Sequence, residues 1–271
     1  MFVPLSIFIT VGGGAAILVI VLGVAYMRTK RSEKAKTEFL SIAAHHIRTP
    51  LTLVKWTLAE FLEGNYGSFT DEQKHMFENL IERNEQLVRF VRSLLDVTRI
   101  EKKSTELHKE RVSMSPFLEE LFRRLEPLAT KRGMQFSKEV ASGMPECLID
   151  AEAVSRVLEN IVENAVVYNK PQGSIEAKAR TEGSGVVIRV RDTGIGISKN
   201  ELLHIGAKFF RAKNAKQHAA QGTGLGVFTA REIVRMHGGN VAYESTEGKG
   251  TTVIIRLPVA SGSAPVAKNG K

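Results

Sequence analysis

Between Leu40 and Phe61, apolar residues recur at Leu40, Ala44, Ile47, Leu51, Val54, Leu58 and Phe61, alternately four and three apart. This heptad seam commits the segment to a helix whose apolar stripe must be covered. Gly64-Asn65-Tyr66-Gly67 stops that helix. Thr70 followed by Gln73 reads as a capping box opening a second helix. Its seam carries Phe77, Leu80, Leu87, Val91 and Leu94, widened by Ile81, Val88 and Leu95 and interrupted by Asn84. A polar residue at such a position either fixes register or is simply tolerated. Two helices cannot bury stripes this wide alone, whereas two copies can close them into a four-helix bundle. A homodimer is therefore expected.

His45 and His46 follow Ala44 directly and face outward from the seam. Pro50 sits mid-helix, where it cannot donate to the carbonyl of His46 and its ring presses on that carbonyl, at a cost of about 3 kcal/mol. The bend and the loosened backbone thus fall at the histidines, a kind of strain found at functional sites. A lone helical histidine is more often a solvated or core side chain. The close succession Arg48, Thr49, Pro50 argues against that reading here.

Upstream, Leu5–Met27 holds no charged residue. As a helix it would be roughly 34 Å long, enough to cross a bilayer. Arg28, Lys30, Arg31, Lys34 and Lys36 follow, against Glu33 alone. The positive-inside rule then places the amino terminus outside and the bulk of the chain in the cytoplasm. A cleaved signal peptide is the competing reading, with Gly23-Val24-Ala25 supplying small residues. The apolar run, however, has no Lys or Arg before it. Gly12, Gly13, Gly14, Ala15 and Ala16 either let two such helices pack closely or mark a loosely specified anchor. So little chain precedes the run that no extracellular sensory domain is expected, and no relay domain separates Met27 from Phe39. The net charge of +9 is concentrated in the basic cluster and otherwise dispersed, so no nucleic-acid partner is expected. Cys147 is the only cysteine, which excludes an intrachain disulfide and fits a reducing compartment.

From about Arg111 the pattern becomes mixed α/β. Helices are expected from Ser115 to about Arg132, from Asp150 as cap through Val167, and over Leu225–His237. Strands are expected at Gln135–Val140, Cys147–Ile149, Ser174–Arg180, Val186–Arg191, Asn240–Ser245 and Thr251–Leu257. One sheet with helices on one face is the economical arrangement. Asn160 and Asn164 share a helical face; their amide oxygens suit Mg²⁺ and their NH₂ groups can donate to phosphate. Asp192-Thr193-Gly194-Ile195-Gly196 sets a carboxylate before two glycines. A buried carboxylate accepts from the exocyclic amine of adenine and opposes the carbonyl of guanine. Gly222-Thr223-Gly224-Leu225-Gly226 opens a helix, where N–H groups and the dipole favour phosphate. Each of these signals alone is weak.

Together they resemble one family. His45-His46-Ile47-Arg48-Thr49-Pro50-Leu51 is similar to the H-box of bacterial two-component sensor histidine kinases. Asn160…Asn164, Asp192-x-Gly-x-Gly, Phe209-Phe210-Arg211 and Gly222-x-Gly-x-Gly resemble, in order, the boxes of their catalytic domains. The resemblance covers roughly residues 35–258. It implies the α/β sandwich shared with gyrase, mismatch-repair and heat-shock-chaperone ATPases, following a dimeric four-helix-bundle hairpin and a transmembrane helix. It implies that His45 accepts phosphate from ATP, that Asn164 ligates Mg²⁺ with Asn160 supporting the phosphates, and that Asp192 reads adenine with Tyr168 against the ring. It implies further that Ser198–Gln221 covers the nucleotide, that Arg211 meets the γ-phosphate, and that a response regulator receives the phosphoryl group. Two positions depart from the family. His46 replaces the usual acidic general base, a role neutral imidazole can take, while Thr49 is retained. Val167 replaces the usual Lys or Arg before Tyr168.

The expected layout is a single-pass inner-membrane anchor at 1–27, a basic linker at 28–38, the phosphotransfer hairpin at 39–101 and a hinge at 102–110. A cytoplasmic catalytic domain at 111–258 and a disordered tail at 259–271 complete it. Two other readings remain open: a degenerate kinase serving as an ATP-binding dimer scaffold, and a plain ATPase of the same superfamily.

Overall fold

A computed structural model describes residues 47, 50–101, 106–219 and 222–260. The apolar run Leu5–Met27, the basic linker, His45, His46, Thr49 and the tail from residue 261 lie outside the described residues. Among the described residues no helix is long and apolar enough to cross a membrane. The chain divides into two compact units, Met1–Lys103 and Ser104–Lys271.

In the first unit, helix α1 is described over residues 50–62 and helix α2 spans Asp71–Glu101. The capping box forms: Thr70 N donates to Gln73 Oε1 at 2.9 Å and Gln73 N to Thr70 Oγ1 at 3.3 Å. The hairpin turn is packed by rings. Phe61 stacks on Phe77 at 5.3 Å and contacts Tyr66 at 4.8 Å, with Phe69 edge-on to Phe77 at 5.1 Å. Within the hairpin, Val91 and Leu95 are buried against Leu51 and Leu94. Ile47, Val54, Leu80 and Leu87 remain exposed at 46–51%. The hairpin therefore covers only part of its own seam, as the width of the stripe required.

The second unit runs β1 (Glu110–Ser113), α3 (Met114–Thr130), β2 (Gln135–Val140), β3 (Glu146–Ile149), α4 (Ala151–Val167), β4 (Ser174–Glu182), β5 (Gly185–Asp192), α5 (Lys199–Leu202), α6 (Lys213–His218), α7 (Gly226–Met236), β6 (Asn240–Thr246) and β7 (Gly250–Pro258). The expected single sheet is corrected to two. Five strands pair in the order β2-β4-β5-β7-β6, and β1 pairs antiparallel with β3 in a separate ribbon. β1 escapes a reading from pattern because Glu-Arg-Val-Ser offers only one apolar residue, Val112. It begins inside the stretch expected to be a hinge. There His108 N donates to Asp150 Oδ2 at 3.1 Å and Lys109 Nζ to Met236 O at 2.8 Å, so these residues are tied into the second unit. At the other end Val259 bridges Cys147 and Ala260 N donates to Glu146 O at 2.9 Å, so these two residues are also tied into the second unit.

α3, α4 and α7 pack on one face of the large sheet. α4 buries Ala153, Val154, Val157, Leu158, Ile161, Val162, Ala165 and Val166, the three-four spacing of one helical face. Asp150 Oδ1 caps it by accepting from Ala153 N at 2.8 Å. The opposite sheet face is ionic. At its β4–β5 corner Glu182 accepts from Arg189 at 2.7 and 3.0 Å and from Arg180 at 2.6 Å, which together hold its carboxyl down to about 2.

Candidate nucleotide site

Three pieces of backbone meet at the carboxyl end of α4. Asn160 and Asn164, one turn apart and half-buried, are joined by Asn164 Nδ2 donating to Asn160 Oδ1 at 2.9 Å. This bond fixes the amide orientation and leaves Asn164 Oδ1 free for a cation. Tyr168 ends the helix, and its carbonyl accepts from Ile195 N at 3.0 Å, binding the loop after β5 to the end of α4. Gly194 is required here, because a Cβ would strike the Tyr168 carbonyl and Asp192 Oδ1.

Asp192 closes β5. Its Oδ1 accepts from Gly194 N at 2.8 Å and Thr251 N at 3.1 Å. Among the described residues no hydrogen bond reaches Oδ2. Burial pushes the Asp192 carboxyl up from its ordinary value, against the pull of the two backbone N–H groups. The result is a carboxylate aimed by two donors, with one oxygen left for a ligand. Gly196 adopts φ +61° and its carbonyl accepts from Asn214 Nδ2 at 2.9 Å.

The second glycine run brings α7 to the same place. Thr223 Oγ1 accepts from Leu225 N at 3.1 Å, Leu225 is fully buried, and Gly224 O accepts from Phe209 N at 3.0 Å. Gly226 begins α7 against Asn160, where any Cβ would collide with the side-chain amide. No side chain caps α7. Its first N–H groups are therefore available to an anion next to the asparagine pair. Gly222 is exposed, and Arg211 Nη1 donates to its carbonyl at 3.3 Å. The same guanidinium donates to Ala215 O at 3.0 Å and to Ala219 O. To meet a phosphate, Arg211 must release some of these carbonyls.

These residues suit a purine nucleoside triphosphate. Asp192 Oδ2 can accept from an exocyclic amine, and the uncapped N–H groups of α7 can donate to phosphate. Among the described residues no group of three or more His, Cys, Asp or Glu side chains could hold a metal. The Asn164 amide oxygen could hold Mg²⁺, with phosphate oxygens and water completing the shell. Val167 is half-buried, and Lys170, three residues past it, is exposed.

Other contributors were not evident from spacing. Asn169 is buried, donating to Ser174 O at 3.2 Å and accepting from Lys170 N at 3.0 Å and Thr193 Oγ1 at 3.3 Å. It braces the turn between Tyr168 and Asp192. Its position directly after Tyr168 was the only sequence signal available.

Two family models match this chain. The His Kinase A (phospho-acceptor) domain covers residues 35–103, and the histidine kinase-, DNA gyrase B- and HSP90-like ATPase covers residues 149–261. The chain belongs to the bacterial two-component sensor histidine kinases. It is 30% identical over 233 residues to an uncharacterized sensor-like histidine kinase of Rhizobium meliloti, a match spanning 85% of this chain and 44% of that one. Against the sensor histidine kinase WalK of Bacillus subtilis it is 28% identical over 231 residues, 84% of this chain and 38% of the relative. It thus spans less than half the length of these curated relatives. Among solved structures, full-length ShkA in complex with AMPPNP aligns with a TM-score of 0.67 and 26% identity, covering 84% of this chain and 47% of ShkA. AdeS of Acinetobacter baumannii aligns at a TM-score of 0.54 and 18% identity, over 80% of this chain and 98% of AdeS, a likeness of fold. The sandwich and the helical hairpin are therefore those of a histidine kinase.

Proposed function

We propose that this chain is a membrane-anchored homodimeric kinase that phosphorylates His45 from Mg-ATP and passes the phosphoryl group to an aspartate of a response regulator. The observation that carries this reading is the carboxylate of Asp192. It is held by Gly194 N and Thr251 N with Oδ2 unengaged, beside Tyr168 and across from the uncapped start of α7. Asn160, Asn164, Gly194, Gly196, Arg211 and Gly222 through Gly226 then serve the nucleotide, with Asn164 as the Mg²⁺ ligand. The metal would supply charge neutralisation on the phosphate oxygens. The His45 imidazole attacks the γ-phosphorus, a P–N bond forms as the bond to ADP breaks, and the imidazole proton passes to His46. Thr49 stands at the position the family uses to place water.

Anchorage at the inner membrane is supported by the uncharged run Leu5–Met27 and the cations after it. The proposed layout is anchor 1–27, linker 28–38, hairpin 39–101, hinge 102–110, catalytic domain 111–258 and tail 259–271. The half-exposed Ile47, Val54, Leu80 and Leu87 support dimerisation through the hairpin.

Incubation with γ-labelled ATP tests the proposal. Acid-labile label on the wild type and none on His45→Gln is expected. ATP binding without labelling would instead mark a scaffold, and phosphate release indifferent to His45→Gln a plain ATPase.

A further inference from the structure

Tyr168 presents a half-buried ring at the end of α4. Facing it is His218, the exposed last residue of α6, with ring centroids 6.4 Å apart and planes inclined by 46°. Neither motif nor spacing singles out His218.

Its place is set by three ties. Asn214 Nδ2 donates to Gly196 O at 2.9 Å, linking α6 to the loop that begins with Asp192. Lys213 N donates to Glu201 Oε1 at 2.7 Å, fixing the start of α6 to α5. The Arg211 guanidinium gathers the carbonyls of Ala215 and Ala219 on either side of His218. The Tyr168 carbonyl is itself bonded to Ile195 N in that same Asp192 loop. The segments that carry both rings are thus tied to the loop that begins with Asp192, whose carboxylate is available to read a base edge.

An aromatic plane lying between two others needs about 3.5 Å to each, so roughly 7 Å between the outer rings. The observed 6.4 Å is slightly short of this, and the planes are not parallel. A small outward shift and rotation of the imidazole would admit a base. We infer that His218 stacks on the purine face opposite Tyr168 and is a base-contact residue of the nucleotide site. This rests on the nucleotide reading above. It adds a contact from the β5–α7 loop that no motif supplies, and it explains why that loop is tied so firmly to the Asp192 turn.

Calorimetric titration of the full chain with AMPPNP and with inorganic tripolyphosphate, which has no base, tests the inference. His218→Ala should weaken AMPPNP about tenfold, the equivalent of about 1.4 kcal/mol of lost stacking, and leave tripolyphosphate unchanged. His218→Phe should keep wild-type AMPPNP affinity. Unchanged AMPPNP binding by His218→Ala, or equal weakening of both ligands, overturns the role of His218 alone. A wild type that binds tripolyphosphate but gains nothing from the base of AMPPNP overturns the adenine reading with it.

Discussion

The side-chain amide of Asn84 donates to the main-chain carbonyl of Leu51 at 2.8 Å, joining α2 to α1 one residue past Pro50. Asn84 is only 5% exposed, although it lies on an otherwise apolar seam. A buried amide of this kind is satisfied at one relative position of the two helices, so it favours a single register. Asn84→Ala should cost about 1 kcal/mol, read from urea unfolding. Asn84→Leu should match or exceed the wild-type urea midpoint while broadening the distribution of oligomers in light scattering. A sharp single species with Leu at this position would show that the amide does not select register.

Asp192 is held at a cost to stability. Burial raises its pKa above the unfolded value of 3.8, so the folded protein binds the proton more readily than the unfolded chain. Stability therefore falls as pH rises from the unfolded value through the raised one, and the ionised carboxylate stabilises the fold less than the protonated one does. Asp192→Asn retains an acceptor for Gly194 N and Thr251 N. It should melt at or above the wild-type temperature and bind ATP at least tenfold more weakly in equilibrium titration. Loss of stability together with loss of binding would mark Asp192 as structural.

His237 is a neutral link between distant elements. Its Nε2 accepts from Asp150 N at 3.0 Å and its Nδ1 lies 2.8 Å from Ile233 O, so Nδ1 carries the proton. Burial holds its pKa below the ordinary 6.5; the charge of Lys109 adds to this, while Ile233 O and Asp150 oppose it. Below 6.5 the unfolded chain takes up a proton that the folded chain resists. The stability present above 6.5 is thus lost as pH falls through the folded value. His237→Gln should be less stable at neutral pH and should lose less on going to about pH 5, by thermal melting.

His46 stands where the family carries an acid. If it takes the proton from His45, autophosphorylation should fall below about pH 6 as the imidazole becomes charged. His46→Glu should keep or raise the rate and move that fall to lower pH. A flat profile in the wild type would remove His46 from the reaction.

Local rules made much of this fold readable. The heptad spacing from Leu40 and the Thr70–Gln73 box announce the hairpin, because both concern residues within a few turns of each other. Asp150 opens α4 through its own side chain, and the glycines at 194, 224 and 226 mark backbone that tolerates no Cβ. The β1–β3 ribbon was not readable, since Glu110–Ser113 is held by pairing with residues more than thirty positions away and not by its own pattern.

The site divides in the same way. Sequence by itself determined which residues are the candidates for the chemistry: Asn160 and Asn164 one turn apart, Asp192 before its glycines, and Gly222 through Gly226 at a helix start. Only the tertiary structure decided what surrounds them. Thr251 N reaches Asp192 across 59 residues, His237 reaches Asp150 across 87, and His218 comes to face Tyr168. The physical reason is that helix periods, caps and glycine requirements act within a turn or two of chain. The meeting of α4, α7 and the β5–α7 loop is set by packing one buried face against the sheet, and no local pattern encodes which distant groups that packing brings within hydrogen-bond reach.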